Sequence, residues 1–306
     1  MQPIIKIIGV GGSGANTVSR IAKLDIAGLE LLAINTDAQA LHFSKALKKI
    51  LIGKNITHGL GTGMDANLGC QAAKESRQEI IEVLKGADMV FITCGLGGGT
   101  GSGASPVVAE ISKSLGILTV AVVTAPFSFE GEQRKKIADT ALENLKDKVD
   151  SLLVISNNRL LKIIDEKTTV ANAFLICDDI LSQAVKGITD LILEPGIINV
   201  DFASVVSIIK NSGRAMFGTG KASGENRAVE AAEKAISSPL LDFSIHGAKG
   251  VLFNAAGQDI TLNEIQEAAK IITKNVDSKA QITFGAIKDS TLKKGEIKIS
   301  VIATKL

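Results

Sequence analysis

Gly97-Gly98-Gly99-Thr100-Gly101-Ser102-Gly103 holds five glycines, one threonine and one serine. It follows an apolar run at 89–94 with strand character and precedes a helical pattern whose start is marked by Ser105 and Pro106, an N-cap and N1 pair. Backbone amides in such a run are unobstructed by side chains and form a nest suited to a di- or triphosphate, and the dipole of the following helix adds to it. The loop is expected to serve binding rather than folding, with Gly99 and Gly101 where backbone must approach phosphate. No GxxxxGK[ST] occurs in the chain, so this is not a Walker A loop.

Further out lies Gly9-Val10-Gly11-Gly12-Ser13-Gly14, again between a strand and a helical pattern. It matches GxGxxG, which is shared with dinucleotide-binding Rossmann domains that place an acid about 20 residues on. Glu30 and Asp37 stand near that distance. A Rossmann domain has no use for a second phosphate cradle three strands later, and the Gly97–Gly103 loop therefore favours a larger phosphate site. A third loop, Gly59-Leu60-Gly61-Thr62-Gly63, could close over a terminal phosphate.

Around these loops, strand candidates at 4–9, 31–35, 50–52, 89–94, 118–124 and 151–156 alternate with helical stretches at 67–85, 106–115 and 133–148. Continuous apolar strands alternating with helices predict a parallel sheet covered on both faces. From 169 to 193, Val170, Phe174, Cys177, Leu181, Ala184, Ile188 and Leu191 recur at helical spacing, and Glu194-Pro195-Gly196 stops the pattern. This predicts a buried connecting helix roughly 36 Å long. Beyond it, helices at 202–211 and 225–236, a strand at 250–254, a helix opened by the capping box Thr261-x-x-Glu264, and strands at 281–287 and 296–303 predict a smaller α/β unit. Its sheet is expected to be mixed, with helices on one face. The expected division is an α/β parallel-sheet domain over 1–168, a central helix over 169–195 and a second domain over 196–306.

The composition narrows the partners. Lys and Arg number 34 against 32 Asp and Glu, so the net charge of +2 gives no electrostatic case for nucleic acid. Cys70, Cys94 and Cys177 lack CxxC spacing and His42, His58 and His246 are scattered, which argues against a disulfide framework or a dedicated metal site and for a reducing cytoplasm. The apolar run 4–10 has no charged leader before it, and no run approaches the ~20 residues of a membrane span, so direct membrane insertion is not expected.

At this point the chain resembles the tubulin/FtsZ superfamily, and within it the FtsZ family of bacterial cell-division GTPases. The resemblance rests on GGGTGSG at 97–103, IKIIGVGGSGAN ending at Asn16, NTDAQAL at 35–41 and the GLGTG loop. It continues through GILTVAVVTAPFSFEG at 116–131, GIINVDFA at 196–203 and the final ISVIAT. It implies GTP and GDP as ligands, with Mg²⁺ held mainly by the phosphates. By the same resemblance Gly11, Gly12 and Asn16 line phosphates and base. Gly61 and Gly63 face the γ-phosphate, and Gly98, Gly99, Thr100 and Gly101 wrap the α- and β-phosphates. Glu130 and Arg134 hold the ribose and a nearby phosphate, and Asn157, Phe174 and Asp178 contact sugar and base. The last of these is sound chemistry, because one carboxylate accepts both the N1–H and N2–H donors of guanine.

The family's loop after the central helix reads NxDxxD, enters the pocket of the next subunit and helps activate water. Here it reads Asn199-Val200-Asp201-Phe202-Ala203-Ser204, so the second acid is serine. Asn199, Asp201 and Ser204 are the catalytic candidates, with hydrolysis expected to be slow. The resemblance implies a head-to-tail homopolymer, a cytoplasmic place at the division site, and membrane-anchor and division partners. The linker and terminal peptide that recruit such partners are not found before Leu306. Met64-Asp65 adds a negative charge where the family has small residues. Two other readings follow from the residues: a nearly inactive GTP-dependent structural filament, favoured by Ser204, and an NAD-dependent oxidoreductase, favoured by GxGxxG alone.

Overall fold

The computed structural model describes residues 2–24, 26, 28–161, 164, 165, 167–194, 196–238 and 244–305. They form two compact units, 1–186 and 187–306. In the first, β1 (Ile5–Val10), β2 (Leu29–Asn35), β3 (Lys48–Leu51), β4 (Met89–Gly95), β5 (Leu118–Ala125) and β6 (Ser151–Ser156) are ordered β3-β2-β1-β4-β5-β6. Every neighbouring pair is parallel. All six residues of β1 are buried, as a strand covered on both faces requires. Ile8, Val10, Ile92, Cys94, Ala121 and Val123 share one core with Ala72, Ala104, Val108 and Ala138 of the covering helices. From β1 the chain leaves to one side toward β2, while β4 pairs on the other, so the carboxyl ends of β1 and β4 form the switch point where ligands of open α/β sheets bind.

The charges of this unit are committed locally. Lys6, buried within β1, donates to the carbonyls of Val83 (2.8 Å) and Lys85 (3.0 Å) at the end of helix Arg77–Leu84 and pairs with Glu30 at 3.4 Å. Asp37 caps helix Ala38–Phe43 by accepting from the amide of Ala40. Neither acid that the Rossmann reading would need is free.

Three expectations are corrected. The helix after the glycine loop runs Gly99–Ser114, so Ser105 and Pro106 lie inside it and do not start it. Three glycines and a proline make poor helix; packing decides here, since a Cβ at Gly103 would stand 2.0 Å from the carbonyl of Ala66. The stretch 67–85 is two helices, Ala66–Glu75 and Arg77–Leu84, broken at Ser76, whose hydroxyl accepts from the amide of Gly53. In the long helix Val170–Leu193, Cys177, Leu181, Ala184, Ile188 and Leu191 are buried but Val170 and Phe174 are exposed (64% and 39%), so its first turns are not core.

The division between units falls inside that long helix, and the assignment of 169–195 as a separate connector is kept as a proposal. Of the expected Glu194-Pro195-Gly196 stop, Pro195 lies outside the described residues, as does Leu306. In the second unit β7 (Gly213–Ser223), β8 (Gly250–Gly257), β9 (Gln281–Lys288) and β10 (Glu296–Thr304) are ordered β7-β10-β8-β9. β10 runs antiparallel to both neighbours while β8 and β9 are parallel, a mixed sheet. Strand β7 has no counterpart among the expected elements. Gly220 within it lets helix Arg227–Ile236 lie almost on the backbone, because a Cβ there would stand 2.1 Å from the carbonyl of Ala231. Gly250 and Gly285 admit Ile208 and Leu191 in the same way from the opposite side, so helices cover both faces of this sheet and not one. The capping box is present: Thr261 N–H donates to Glu264 Oε2 at 2.8 Å and Glu264 N–H to Thr261 Oγ1 at 3.3 Å.

Candidate functional site

Six described helices of the first unit start without a side-chain cap, and two of them face each other across one cavity. Helix Gly11–Ile21 follows β1 directly with Val10 at its N-cap, and helix Gly99–Ser114 has Gly98 at its N-cap. By contrast Asp37, Asp65, Asp201 and Thr261 cap helices with their side chains. First-turn amides have no intrahelical partner, and the two uncapped ends open onto one cavity of about 240 Å³ at the carboxyl ends of β1 and β4.

The glycines there divide into two kinds. At Gly12 and Gly98 a Cβ would meet nothing within 4 Å, so packing does not demand glycine and the open space is the cavity itself. At Gly99 a Cβ would stand 2.2 Å from Thr62 Oγ1 and 2.7 Å from the carbonyl of Asp65, and at Gly101 it would stand 2.7 Å from the carbonyl of Gly95. Those two are glycine because neighbouring backbone presses on them. This overturns the expectation that Gly99 and Gly101 matter for binding and not for folding.

Hydroxyls lock the loop. Thr100 Oγ1 lies 2.7 Å from Thr36 Oγ1 and 3.4 Å from Thr62 Oγ1, tying the 59–63 loop to the 97–103 loop. Ser102 Oγ accepts from the amide of Gly97 at 2.9 Å, and Ser105 Oγ donates to the carbonyl of Gly101 at 2.6 Å. Asp65 accepts from the amides of Asn67 (2.8 Å) and Leu68 (3.2 Å), so its negative charge is spent on the helix Ala66–Glu75.

The far end of the cavity is made of side chains. Glu130 Oε1 accepts from the amide of Phe127 at 2.9 Å and Oε2 from Arg134 at 3.0 Å, so the acid is saturated and fixes the arginine. Asn157, 4% exposed, stands where β6 gives way to a short helix, and its Oδ1 has no partner among the described residues. Phe174 meets Phe127 edge-on at 5.3 Å, and Phe127 stacks on Phe129 at 4.8 Å. Asp178, four residues on from Phe174, faces Arg20 at 3.7 Å. Burial pushes its carboxyl up to about 6, against the pull of the Arg20 guanidinium and with a further push from Asp179. At neutral pH it is mostly ionised and able to accept.

Of the nucleotide-binding candidates, Asn16, Gly61 and Gly63 do not line this cavity, and the others do. From the 59–63 loop it is the buried Thr62 that reaches it. Ser13, Thr62, Thr124 and Cys177 line it without having been anticipated. Thr124 sits near the carboxyl end of β5, and the rule that ligands gather at those ends is the signal that finds it. Asn199, Asp201 and Ser204 lie in the second unit. Asn199 Oδ1 accepts from the amide of Gly196 at 2.7 Å, and exposed Asp201 accepts from the amide of Ser204 at 2.6 Å. The Ser204 amide, followed by its hydroxyl, holds the Asp201 carboxyl below the usual range.

A six-stranded parallel sheet with two uncapped helix ends at its switch point defines a phosphate-binding, doubly wound α/β domain. Residues 4–165 match the tubulin/FtsZ family GTPase domain, and residues 213–306 match the FtsZ family C-terminal domain. The chain belongs to the tubulin/FtsZ family of GTPases. It is 50% identical over 300 residues to the cell division protein FtsZ 1 of Pyrococcus horikoshii, covering 98% of this chain and 80% of that one. It superposes on an empty FtsZ dimer structure from M. jannaschii with a TM-score of 0.95 at 47% identity, covering 99% of this chain and 88% of the other. The GTPγS-bound protofilament of CetZ2 from Haloferax volcanii shares the fold, with a TM-score of 0.84 at 21% identity over 99% of this chain and 92% of that one. Among the described residues no helix is long and apolar enough to cross a membrane.

Proposed function

We propose that the chain is a cytoplasmic cell-division GTPase that binds guanine nucleotide in this cavity and polymerises head to tail. In this reading Asn199, Asp201 and Ser204 of one copy complete the cavity of the next at the division site. The observation that carries the reading is the convergence of two uncapped helix N-termini on a cavity with no free carboxylate beside them. Among the described residues its only acids are Glu130, already bonded to Phe127 and Arg134, and Asp178, at the opposite end. Phosphate would be cradled by amides of Gly11, Gly12 and Gly98 to Gly101, and guanine would be read by Asp178 and by the unpaired Asn157 Oδ1. A base to orient water must then come from another molecule. A heterologous contact of this kind generates open filaments. Relatives described as a dimer and as a protofilament support self-association.

Mg²⁺, when bound, would neutralise phosphate charge. Among the described residues no group of three His, Cys, Asp or Glu is placed to hold a metal, so the phosphates are proposed as its main ligands. Asp201 is a weakened base, because the amide and hydroxyl of Ser204 both stabilise its ionised form. That favours slow turnover and long-lived filaments, and keeps a nearly inactive structural filament as the second reading. Phosphate release from GTP, measured against protein concentration beside light scattering, tests both. Release that rises more than linearly and together with scattering is expected. Release strictly proportional to protein at concentrations below assembly would defeat the shared site.

A further inference from the structure

A second cavity of about 640 Å³ lies in the first unit, apart from the nucleotide cavity. Its floor is the outward stripe of helix Gly99–Ser114, with Gly103, Pro106, Val107 and Glu110 at helical spacing. One wall comes from helix Ala66–Glu75 and the start of the next helix, through Cys70, Lys74 and Arg77. The other wall comes from helix Glu132–Lys146 and Lys148 just beyond it. The trough exists because glycines at 69, 99 and 103 let the first wall press onto the floor helix backbone to backbone, leaving the stripe at 103–110 without a side chain lid.

The chemistry of the trough is two-sided. Val107 (4% exposed), Ala141 (3%) and Ile137 make an apolar bed. Lys74, Arg77, Lys136 and Lys148 put four cations on its edge. Only two acids answer them. Asp65 is spent on helix-capping amides, and Glu110 is shared between Lys148 at 3.0 Å and Arg77 at 3.9 Å. Lys74 and Lys136, on opposite walls, have no ion-pair partner among the described residues. Volumes of ~300–1,000 Å³ with an apolar bed and a few converging charges are those of small-ligand sites.

We infer that this trough is a binding site for a small organic anion with an apolar body, its acid group held between Lys74 and Lys136 and its body lying on Val107 and Ala141. It is independent of the nucleotide reading.

The native chain carries its own reporter. Cys94 and Cys177 are buried, with thiols pushed up to about 12, whereas Cys70 is half-buried on the trough wall. The probe is anilinonaphthalene sulfonate, titrated into the native chain at saturating GDP so that the phosphate cradle is blocked. One probe per chain is expected, with alkylation of Cys70 by N-ethylmaleimide slowed about tenfold at saturation. The double charge reversal Lys74→Glu with Lys136→Glu changes two exposed side chains and is expected to leave the thermal transition in place. It should weaken the probe at least tenfold and abolish protection, and anilinonaphthalene without the sulfonate should bind at least tenfold more weakly than the probe. Unchanged Cys70 reactivity under saturating probe, or equal affinity of native and reversed proteins, overturns the inference. Protection by an acidic peptide where the dye gives none also overturns it and makes the trough a peptide-docking groove. If GDP fails to bind, the Cys70 measurement without nucleotide still decides, because that thiol lines the trough and not the nucleotide cavity.

Discussion

At the proposed phosphate end of the cavity the lining is backbone from two loops, each following its strand, whereas at the proposed base end side chains arrive from separate elements. Gly11, Gly12 and Gly98 to Gly101 come in two short runs. Glu130, Arg134, Asn157 and Asp178 are spread over 49 positions of sequence and come from a turn and three separate helices. Amides in a row recognise charge and shape but cannot tell one base from another. Separate side chains can discriminate, at the cost of depending on every element that carries them. The phosphate end should therefore fail by losing fold or all nucleotide, and the base end by losing selectivity.

The largest expected effect lies outside both ends. Asp201→Ala should lower GTP turnover by ~10²–10⁴-fold, the usual worth of general-base assistance. Nucleotide binding should stay native, since the residue does not line its own chain's cavity. Restoring the family acid, Ser204→Asp, should raise turnover and shorten filament lifetime, because it removes the hydroxyl that steadies Asp201 and adds a second carboxylate. Phosphate release on mixing Asp201→Ala with a nucleotide-binding mutant shows whether the two sites cooperate across a junction. No recovery in that mixture would count against a shared site.

Within the phosphate end, Gly101→Val and Gly98→Ala should part company. Overpacking against the Gly95 carbonyl should cost about 3 kcal/mol, so Gly101→Val lowers the thermal midpoint of the apo protein by many degrees. Gly98 has φ −93° and open space beyond its Cα, so Gly98→Ala should leave that midpoint nearly unmoved while weakening GDP. Equal melting of the two would erase the distinction between packing glycines and cradle glycines.

At the base end, Asp178→Ala should remove the preference for GTP over ATP. Leaving two guanine donors unpaired costs about 1–3 kcal/mol. Competition between the two nucleotides is the direct measurement, and native protein binding both equally would sink the assignment.

The smallest effect is a pH slope. In the proposed base reading guanine needs the ionised carboxylate, and burial pushes Asp178 up to about 6 in the free protein. Guanine affinity should be flat above pH 7 and fall as pH drops through 6, by at most ~tenfold per unit. Asp178→Asn should flatten the curve. A native curve that is already flat between pH 7 and 5 would place the acceptor elsewhere.

Much of the phosphate end is legible in residue order because local chemistry writes it. Strands β1 and β4 are mainly apolar and buried, and the glycine runs after them have few other uses. What is misread is which glycine does what. The start of helix Gly99–Ser114 and the role of Gly99 depend on the 62–66 segment lying against them, and that of Gly101 on the Gly95 carbonyl, and no local pattern states either. Strand β7 goes unseen for the same kind of reason. GRAMFGTGKAS is poor in strand formers, and its long-range pairing with β10 and the packing of helix Arg227–Ile236 on it make it a strand.

By itself the sequence determined the parallel sheet, the two glycine loops, the long helix and the capping box, because each is set by neighbours within a few residues. Tertiary structure alone decided that Asp65 caps a helix, that Asn157 is buried with an unpaired oxygen, and that burial beside Arg20 sets the charge of Asp178. It also decided that three helices leave a cation-edged trough over Val107. Burial, desolvation and close backbone approach are properties of what the chain brings together from far apart, and no single stretch of residues carries them.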